Sequence, residues 1–252
     1  MPVALVIDVG NTSVSLGLYK DGDVRRVYHV RGGIDGDRNA CVRALRQISD
    51  GVDLDGAMIA TVVPAALQGW KALVKSTLGL TLRQITHRCL MPVTIDYPKP
   101  ASIGADRLAD AAGAVAKYGA PALICDFGTA LTFDVVSPDR RYLGGAICPG
   151  LPLMRDYLYE RTAKLPKIGF DGVVPNIGRS TADAMRLGAA VGYRGMVREI
   201  TEHLRRTTGY DFKLIATGGY AAWALDGLDL DFTIDQNLTL LGIGVIFDSN
   251  FR

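Results

Sequence analysis

The chain has 252 residues, of which 48% are hydrophobic and 21% charged, with 28 basic against 26 acidic side chains and a formal net charge of +2. That apolar content excludes a disordered polymer and suffices for one large domain or two smaller ones, while near-balanced, scattered charge lacks the basic stripe of a binder of nucleic acid or anionic membrane. The opening MPVALVIDVGNT has no basic leader, and Asp8 breaks its apolar run too early for a signal peptide or spanning helix, so a soluble cytoplasmic protein is expected.

In chain order, residues 4–30 (ALVIDVGNTSVSLGLYKDGDVRRVYHV) read as a three-stranded meander: an apolar strand ending in Asp-x-Gly, a β-branched strand, the turn Asp21-Gly22 and a third strand. A helix is expected over 37–48, a strand in AMIATVV, a helix over 65–78, a short strand in TLRQITH and a helix over 103–117. Residues 122–148 (ALICDFGTALTFDVVSPDRRYLGGAIC) then repeat the opening plan, with Asp126 and Gly128 in the places of Asp8 and Gly10 and a turn at Ser137-Pro138-Asp139. A long amphipathic stretch over 181–206, the strand KLIATGG, a short helix at Trp223, the strand DFTI and a helix over 238–251 complete the chain. The pattern is βββαβαβα read twice, which predicts an α/β protein of two mixed sheets covered by helices, with domains 1–118 and 119–252.

The two Asp-x-Gly hairpins suggest an anion cradle. Glycine with neighbouring hydroxyl and amide side chains lets backbone N–H groups approach a phosphate, and Gly10, Asn11, Thr12, Ser13 repeat as Gly128, Thr129, Ala130 and Thr132. Either hairpin alone also fits an ordinary turn; the duplication favours a polyphosphate held between them. A carboxylate beside a polyphosphate repels it unless a cation intervenes, so Asp8 and Asp126 read as ligands of a hard cation, with hairpin capping as the alternative. Ala216-Thr217-Gly218-Gly219 ends a strand where an open α/β sheet binds its ligand, although a plain left-handed turn explains it as well. Gly144-Gly145 and Pro149-Gly150 are similarly open.

The segment Pro100-Ala101-Ser102-Ile103-Gly104-Ala105-Asp106-Arg107 starts a helix whose N-terminal amides favour an anion. Asp106 there can take a hydroxyl proton and Arg107 can meet a carboxylate or phosphate, or both can be ordinary helix-start residues. Asp110, a turn later, reads as helix surface. Cys41, Cys89, Cys125 and Cys148 form no CxxC and read as reduced thiols, and His29, His87 and His203 read as structural or surface groups. The sum points to phosphoryl transfer, which depends on positioning and charge neutralisation more than on a covalent catalyst. No GxxxxGK[ST] loop or protein-kinase motif set occurs.

Taken together, IDVGNTSVSLGLY, ATVVP (residues 60–64), YPKPASIGADRLADA, DFGTALTFDVV, YLGGAICPG, AKLPKI, IGRSTADAMRLGAAVGY and IATGG resemble the type III pantothenate kinases, in order and across nearly the whole chain. That resemblance implies the duplicated ribonuclease-H-like fold of the acetate and sugar kinase, Hsp70 and actin superfamily, with an interdomain cleft. It implies ATP-dependent phosphorylation of pantothenate to 4′-phosphopantothenate, the first step of coenzyme A biosynthesis. Asp8, Val9, Gly10, Asn11, Thr12, Ser13, Val14 and Ser15 would form the first ATP loop, with Asp8 near Mg²⁺. Thr129 would contact ATP, and Asp126 would hold a monovalent cation, K⁺ or NH₄⁺. Tyr97, Gly104, Ala105, Asp106, Arg107 and Thr181 would bind pantothenate, with Asp106 as the base. The resemblance also implies a homodimer, for which the 181–206 stretch, with Ala182, Ala184, Gly188, Ala189 and Gly192, is the candidate interface. The sequence departs from the family's pattern in GGIDGDRNACVRAL (32–45), in KPASI and at Leu131. Competing readings are a sugar or hydroxy-acid kinase of the same superfamily and a catalytically silent accessory homologue.

Overall fold

The computed structural model describes residues 2–32, 37–170 and 174–251; Gly33, Ile34, Asp35 and Gly36, part of the divergent 32–45 tract, lie outside the described residues. The elements in chain order are β1 (Ala4–Val9), β2 (Ser13–Lys20), β3 (Asp23–Arg31), α1 (Arg38–Ser49), β4 (Gly56–Thr61), α2 (Ala66–Leu78), β5 (Leu82–Gln84) and β6 (Thr94–Ile95). A 3₁₀ turn (Pro100–Ser102) leads into α3 (Ala105–Tyr118), followed by β7 (Ala122–Phe127), β8 (Ala130–Val136), β9 (Arg141–Pro149) and α4 (Leu151–Arg161). Then come α5 (Thr181–Leu187), a π-helical segment (Gly188–Gly192), α6 (Tyr193–Thr208), β10 (Lys213–Thr217), α7 (Ala221–Leu225), β11 (Phe232–Ile234) and α8 (Leu238–Asn250). One sheet has the order β3-β2-β1-β4-β5, the other β11-β10-β7-β8-β9-β6. The first is mixed, since β1 pairs antiparallel with β2 and parallel with β4.

The chain forms two compact units: residues 1–122 with 135–144 and 237–252, and residues 123–134 with 145–236. These units differ from a linear division after residue 118 in two ways that packing explains. The terminal helix α8 packs with the first unit, and the tip of the β8–β9 hairpin joins it with β6 alongside, Thr94 opposite Arg141 and Ile95 opposite Tyr142.

In the first unit the pleat of β1 sends alternate side chains into two cores. Leu5, Ile7 and Val9 pack with Cys41, Leu45 and Ile48 of α1 and Trp70, Leu73 and Val74 of α2. Ala4 and Val6 pack with Leu108, Ala109 and Ala112 of α3 and Leu240, Ile243 and Phe247 of α8. Each fully buried large side chain contributes about 1.5–3 kcal/mol. Helix α1 starts where the Asp37 carboxylate accepts the Ala40 N–H at 2.8 Å, and α2 stops at Gly79, whose φ of 72° is left-handed.

Helix α8, LTLLGIGVIFDSN, is apolar on nearly every side, as a helix enclosed by a sheet and another helix must be. Two glycines let it touch α3: a Cβ at Gly113 would lie 2.7 Å from the Leu238 carbonyl oxygen and 3.0 Å from Gly242 N, and one at Gly242 would overlap the Ala109 carbonyl. The Tyr19 ring lies against Gly244, and its hydroxyl donates to Asp248 Oδ2 at 2.7 Å, which fixes the far end of the helix.

The second unit departs from the expected βαβα continuation. Helix α4 was not anticipated, because LPLMRDYLYER distributes its apolar residues around the helix rather than along one face; Leu153, Tyr157, Leu158 and Tyr159 are exposed. The single helix expected over 181–206 is interrupted at GAAVG, where the backbone widens into a π turn, a feature that recurs at functional sites. Beyond it, Tyr193, Val197 and Thr201 of α6 recur every four residues and are buried.

Candidate active site

In the first unit the site begins at the C-terminal end of β1. Asp8 lies on the face of Ala4 and Val6, toward α3, opposite Ser15 of β2. The Ser15 hydroxyl in turn meets His29 Nδ1 at 3.0 Å, so His29 reaches the first loop, a role its isolated position in the sequence did not suggest. Gly10 N–H bonds the Ser13 carbonyl at 3.0 Å, and Gly32 N–H bonds the Thr12 carbonyl at 3.0 Å, leaving Asn11, Thr12 and Ser13 exposed. Val9 and Val14 are buried and anchor the loop at both ends. Gly10 is not left-handed, and a Cβ there would make only a 3.5 Å contact with the Ser13 carbonyl, so the fold itself makes no demand for glycine at this position.

The start of α3 adjoins this loop. Val62, just past β4, donates its N–H to the Val9 carbonyl at 3.3 Å, and a Cβ on Gly104 would lie 3.5 Å from Val62 Cγ1. Such a Cβ would also collide with Asp106 Oδ1, because the Asp106 carboxylate folds back over the helix N-terminus and accepts the Arg107 N–H at 2.8 Å. Ala105 is buried beneath. Burial pushes the Asp106 carboxyl above its ordinary value, and the Arg107 N–H bond and guanidinium charge oppose that shift without cancelling it. Asp110, expected on the surface, is buried at 1% exposure, because α3 is enclosed by α8 and the sheet.

Arg107 extends from the first turn of α3 over the ring of Tyr142, with its guanidinium carbon 5.9 Å from the ring centroid. Tyr97, half-buried just past β6, stands 6.3 Å from Tyr142 at 59° between the ring planes. Its edge fills the space beside Gly144, where φ is 95° and a Cβ would come within 2.7 Å of Tyr97 Cε2. Asp8 to Ser15, Tyr97 and Gly104 to Arg107 thus belong to one unit.

The second unit carries Asp126, Thr129 and Thr181. Asp126 is half-buried at the end of β7, in a hairpin closed by Gly128 N–H to the Ala130 carbonyl at 3.0 Å. Gly150, which caps α4, donates to the Thr129 carbonyl at 3.1 Å, and no side chain fits there because it would overlap the Gly128 and Thr129 carbonyls. Gly218 has φ of 90° and lies flush against Asp126 Oδ1 and the Phe127 backbone, while Tyr220 N–H bonds the Phe127 carbonyl at 3.2 Å. Gly218 of ATGG and Gly150 of CPG are therefore required by close approach to the DFGT hairpin, whereas Gly219 faces open space. Leu131, one of the departures from the family pattern, is fully buried and away from the loop surface. Thr181 is exposed at the start of α5, where the Ser180 hydroxyl accepts the Asp183 N–H at 3.1 Å.

Asp8 and Asp126 each offer half-buried carboxylate oxygens, the hard donors that Mg²⁺ and K⁺ take. At Asp126 a side chain at position 218 would collide with Oδ1, so only glycine lets that backbone lie against the carboxylate.

Comparison with known proteins shows the family. The family model for type III pantothenate kinase matches residues 4–203. The type III pantothenate kinase of Akkermansia muciniphila is 42% identical over 201 residues, covering 80% of this chain and 81% of that protein. Those of Desulfosudis oleivorans and Halalkalibacterium halodurans are 34% and 32% identical, each across at least 97% of both chains. Among solved structures, a putative Baf family transcriptional activator from Campylobacter jejuni (TM-score 0.63, 19% identity, 98% of each chain) shares the fold. So does a ROK family glucokinase from Streptomyces griseus in complex with glucose and AMPPNP (TM-score 0.53, 15% identity, 98% of each chain). The architecture is the duplicated ribonuclease-H-like fold of the actin-like ATPases and sugar kinases, and the chain belongs to the type III pantothenate kinase family.

Proposed function

We propose that this chain transfers the γ-phosphoryl group of ATP to the primary hydroxyl of pantothenate, giving ADP and 4′-phosphopantothenate, the first step of coenzyme A biosynthesis. Family membership supports the reaction, and the observation that carries the mechanism is Asp106: a half-buried carboxylate, raised by burial, on the first turn of α3 beside Arg107. A base whose pKa moves toward the working pH accepts a proton more effectively. Asp106 takes the hydroxyl proton as that oxygen bonds to the γ-phosphorus and the bond to the ADP oxygen breaks. Arg107 meets the pantothenate carboxylate, with Tyr97, Gly104, Ala105 and Thr181 completing the substrate contacts.

The residues from Asp8 to Ser15 and Thr129 hold ATP, with the exposed Asn11, Thr12 and Ser13 offering amide and hydroxyl groups. Mg²⁺ held near Asp8 and a monovalent cation, K⁺ or NH₄⁺, held by Asp126 would neutralise phosphate charge. The four cysteines are free thiols, which suits a reducing compartment, and we place the reaction in the cytoplasm; no helix among the described residues is long and apolar enough to cross a membrane.

We further assign a homodimer. Gly188 and Gly192 face open space, and Val191 between them is 60% exposed, as are Tyr157 at 65% and Ile147 at 64%. An exposed valine between two bare glycines suits close approach of a second copy, and other exposed apolar side chains add to that surface. The Ala184 side of the stretch, by contrast, is covered by the chain's own Gly178.

The test is release of ADP from Mg-ATP in K⁺ with pantothenate, glucose or a short hydroxy acid as acceptor. Turnover with pantothenate alone is expected; preference for the sugar or hydroxy acid would replace the substrate assignment.

A further inference from the structure

Tyr142 was not among the site residues suggested by the sequence, yet it lies at the meeting point of two that were. It is fully buried in β9, paired with Ile95 of β6 on one side. The Arg107 guanidinium lies over its ring at 5.9 Å, and the Tyr97 ring leans on it at 6.3 Å. The seat is held from several directions. Asp96 N–H bonds the Tyr142 carbonyl at 3.0 Å, and the neighbouring Arg141 bridges Asp96 at 2.8 Å and Asp139 at 2.7 Å. Gly144, two residues on, adopts a φ of 95° and leaves room only for the Tyr97 edge.

An arginine has several rotatable bonds, and the one at 107 follows directly on a carboxylate that its charge attracts. A ring face beneath the guanidinium limits that freedom, and a guanidinium pairs with a planar carboxylate through the N–H groups in its own plane. We propose that Tyr142 is a positioning residue for this kinase: its ring holds Arg107 in the orientation that selects a carboxylate-bearing acceptor, and Gly144 seats Tyr97 beside it. The proposal rests on the pantothenate reading above.

The discriminating quantity is kcat/KM for pantothenate divided by kcat/KM for pantothenol, in which an alcohol replaces the carboxylate. Wild type and the Tyr142→Phe and Tyr142→Met variants are compared, together with a near-isosteric variant carrying 3,4,5-trifluorophenylalanine at 142, which weakens the ring quadrupole without opening a cavity. The Tyr142→Phe variant is expected to keep the wild-type ratio. The Met and trifluoro variants are expected to lose about tenfold in it through KM for pantothenate, with KM for ATP unchanged. A ratio that stays at the wild-type value in both the Met and the trifluoro variants overturns the proposal while leaving the kinase reading intact. If Met fails to fold, the trifluoro variant alone decides. A wild-type protein that turns over pantothenol as well as pantothenate overturns the carboxylate anchor itself, and with it the role of Tyr142.

Discussion

Asp106 combines two opposing effects at a single carboxylate. Burial favours its neutral form, and the α3 N-terminus with Arg107 favours its anion; burial is the larger, so its pKa rises. The folded state therefore binds this proton more tightly than the unfolded chain does. Its stabilising effect is complete below the unfolded carboxylate pKa and is lost as pH rises through the folded value. Asp106→Asn has no such proton to lose, so the melting temperature of the variant minus that of the wild type should be larger at pH 7 than at pH 4. A difference that shrinks as pH rises would contradict the raised pKa. The helix start that carries Asp106 and Arg107 was legible in the sequence, and the pantothenate roles proposed for them came from the family resemblance. Tyr142 was not legible, because only the pairing of β6 with β9 brings it to Arg107 and Tyr97. Asp110 was misjudged because helical periodicity on α3 cannot reveal that α8, more than 120 residues later in the chain, covers its other side.

At the scale of elements, glycines determine which surfaces can meet. The α3–α8 contact is the clearest case, with Gly113 and Gly242 backbone to backbone. Helix α3 carries Asp106 and Arg107, the proposed base and substrate anchor, on its first turn, and it packs against α8 through Ala109 and Gly113. Gly242→Val would force the two helices apart and should cost about 1–3 kcal/mol or more, as overpacking of a tight core does; urea denaturation measures it, and a loss under about 0.5 kcal/mol would show that the contact can relax. Most elements were legible from periodicity and turn residues, including both meanders and the terminal helix. Helix α4 and strand β6 were not: the first has no apolar stripe, and the second has only two residues, whose pairing is set by a distant hairpin. The hairpin glycines, Gly10 and Gly128, drew attention first, yet among the glycines named from the sequence it is Gly104, Gly144, Gly145, Gly150 and Gly218 whose side-chain space is taken.

For the whole molecule, the duplicated meander is the feature the sequence displayed most openly, and both copies are found as β1–β3 and β7–β9. Which segments form each compact unit was less legible, since α8 leaves the half in which it is encoded. Beyond the monomer, the exposed Val191 between Gly188 and Gly192 makes a dimer contact testable. Val191→Asp places a charge where an apolar partner surface is proposed, and light scattering after gel filtration should find a monomer with impaired pantothenate turnover. A dimer of unchanged stability would move the interface elsewhere.

The central claim is that Asp106 is the base for pantothenate phosphorylation, and steady-state kinetics of Asp106→Asn test it most directly. The amide preserves size and cannot take the proton, so kcat for pantothenate-dependent ADP release should fall by about 10²–10⁴-fold while KM for ATP stays near the wild-type value. A folded Asp106→Asn variant that retains kcat within a few-fold of wild type would contradict it.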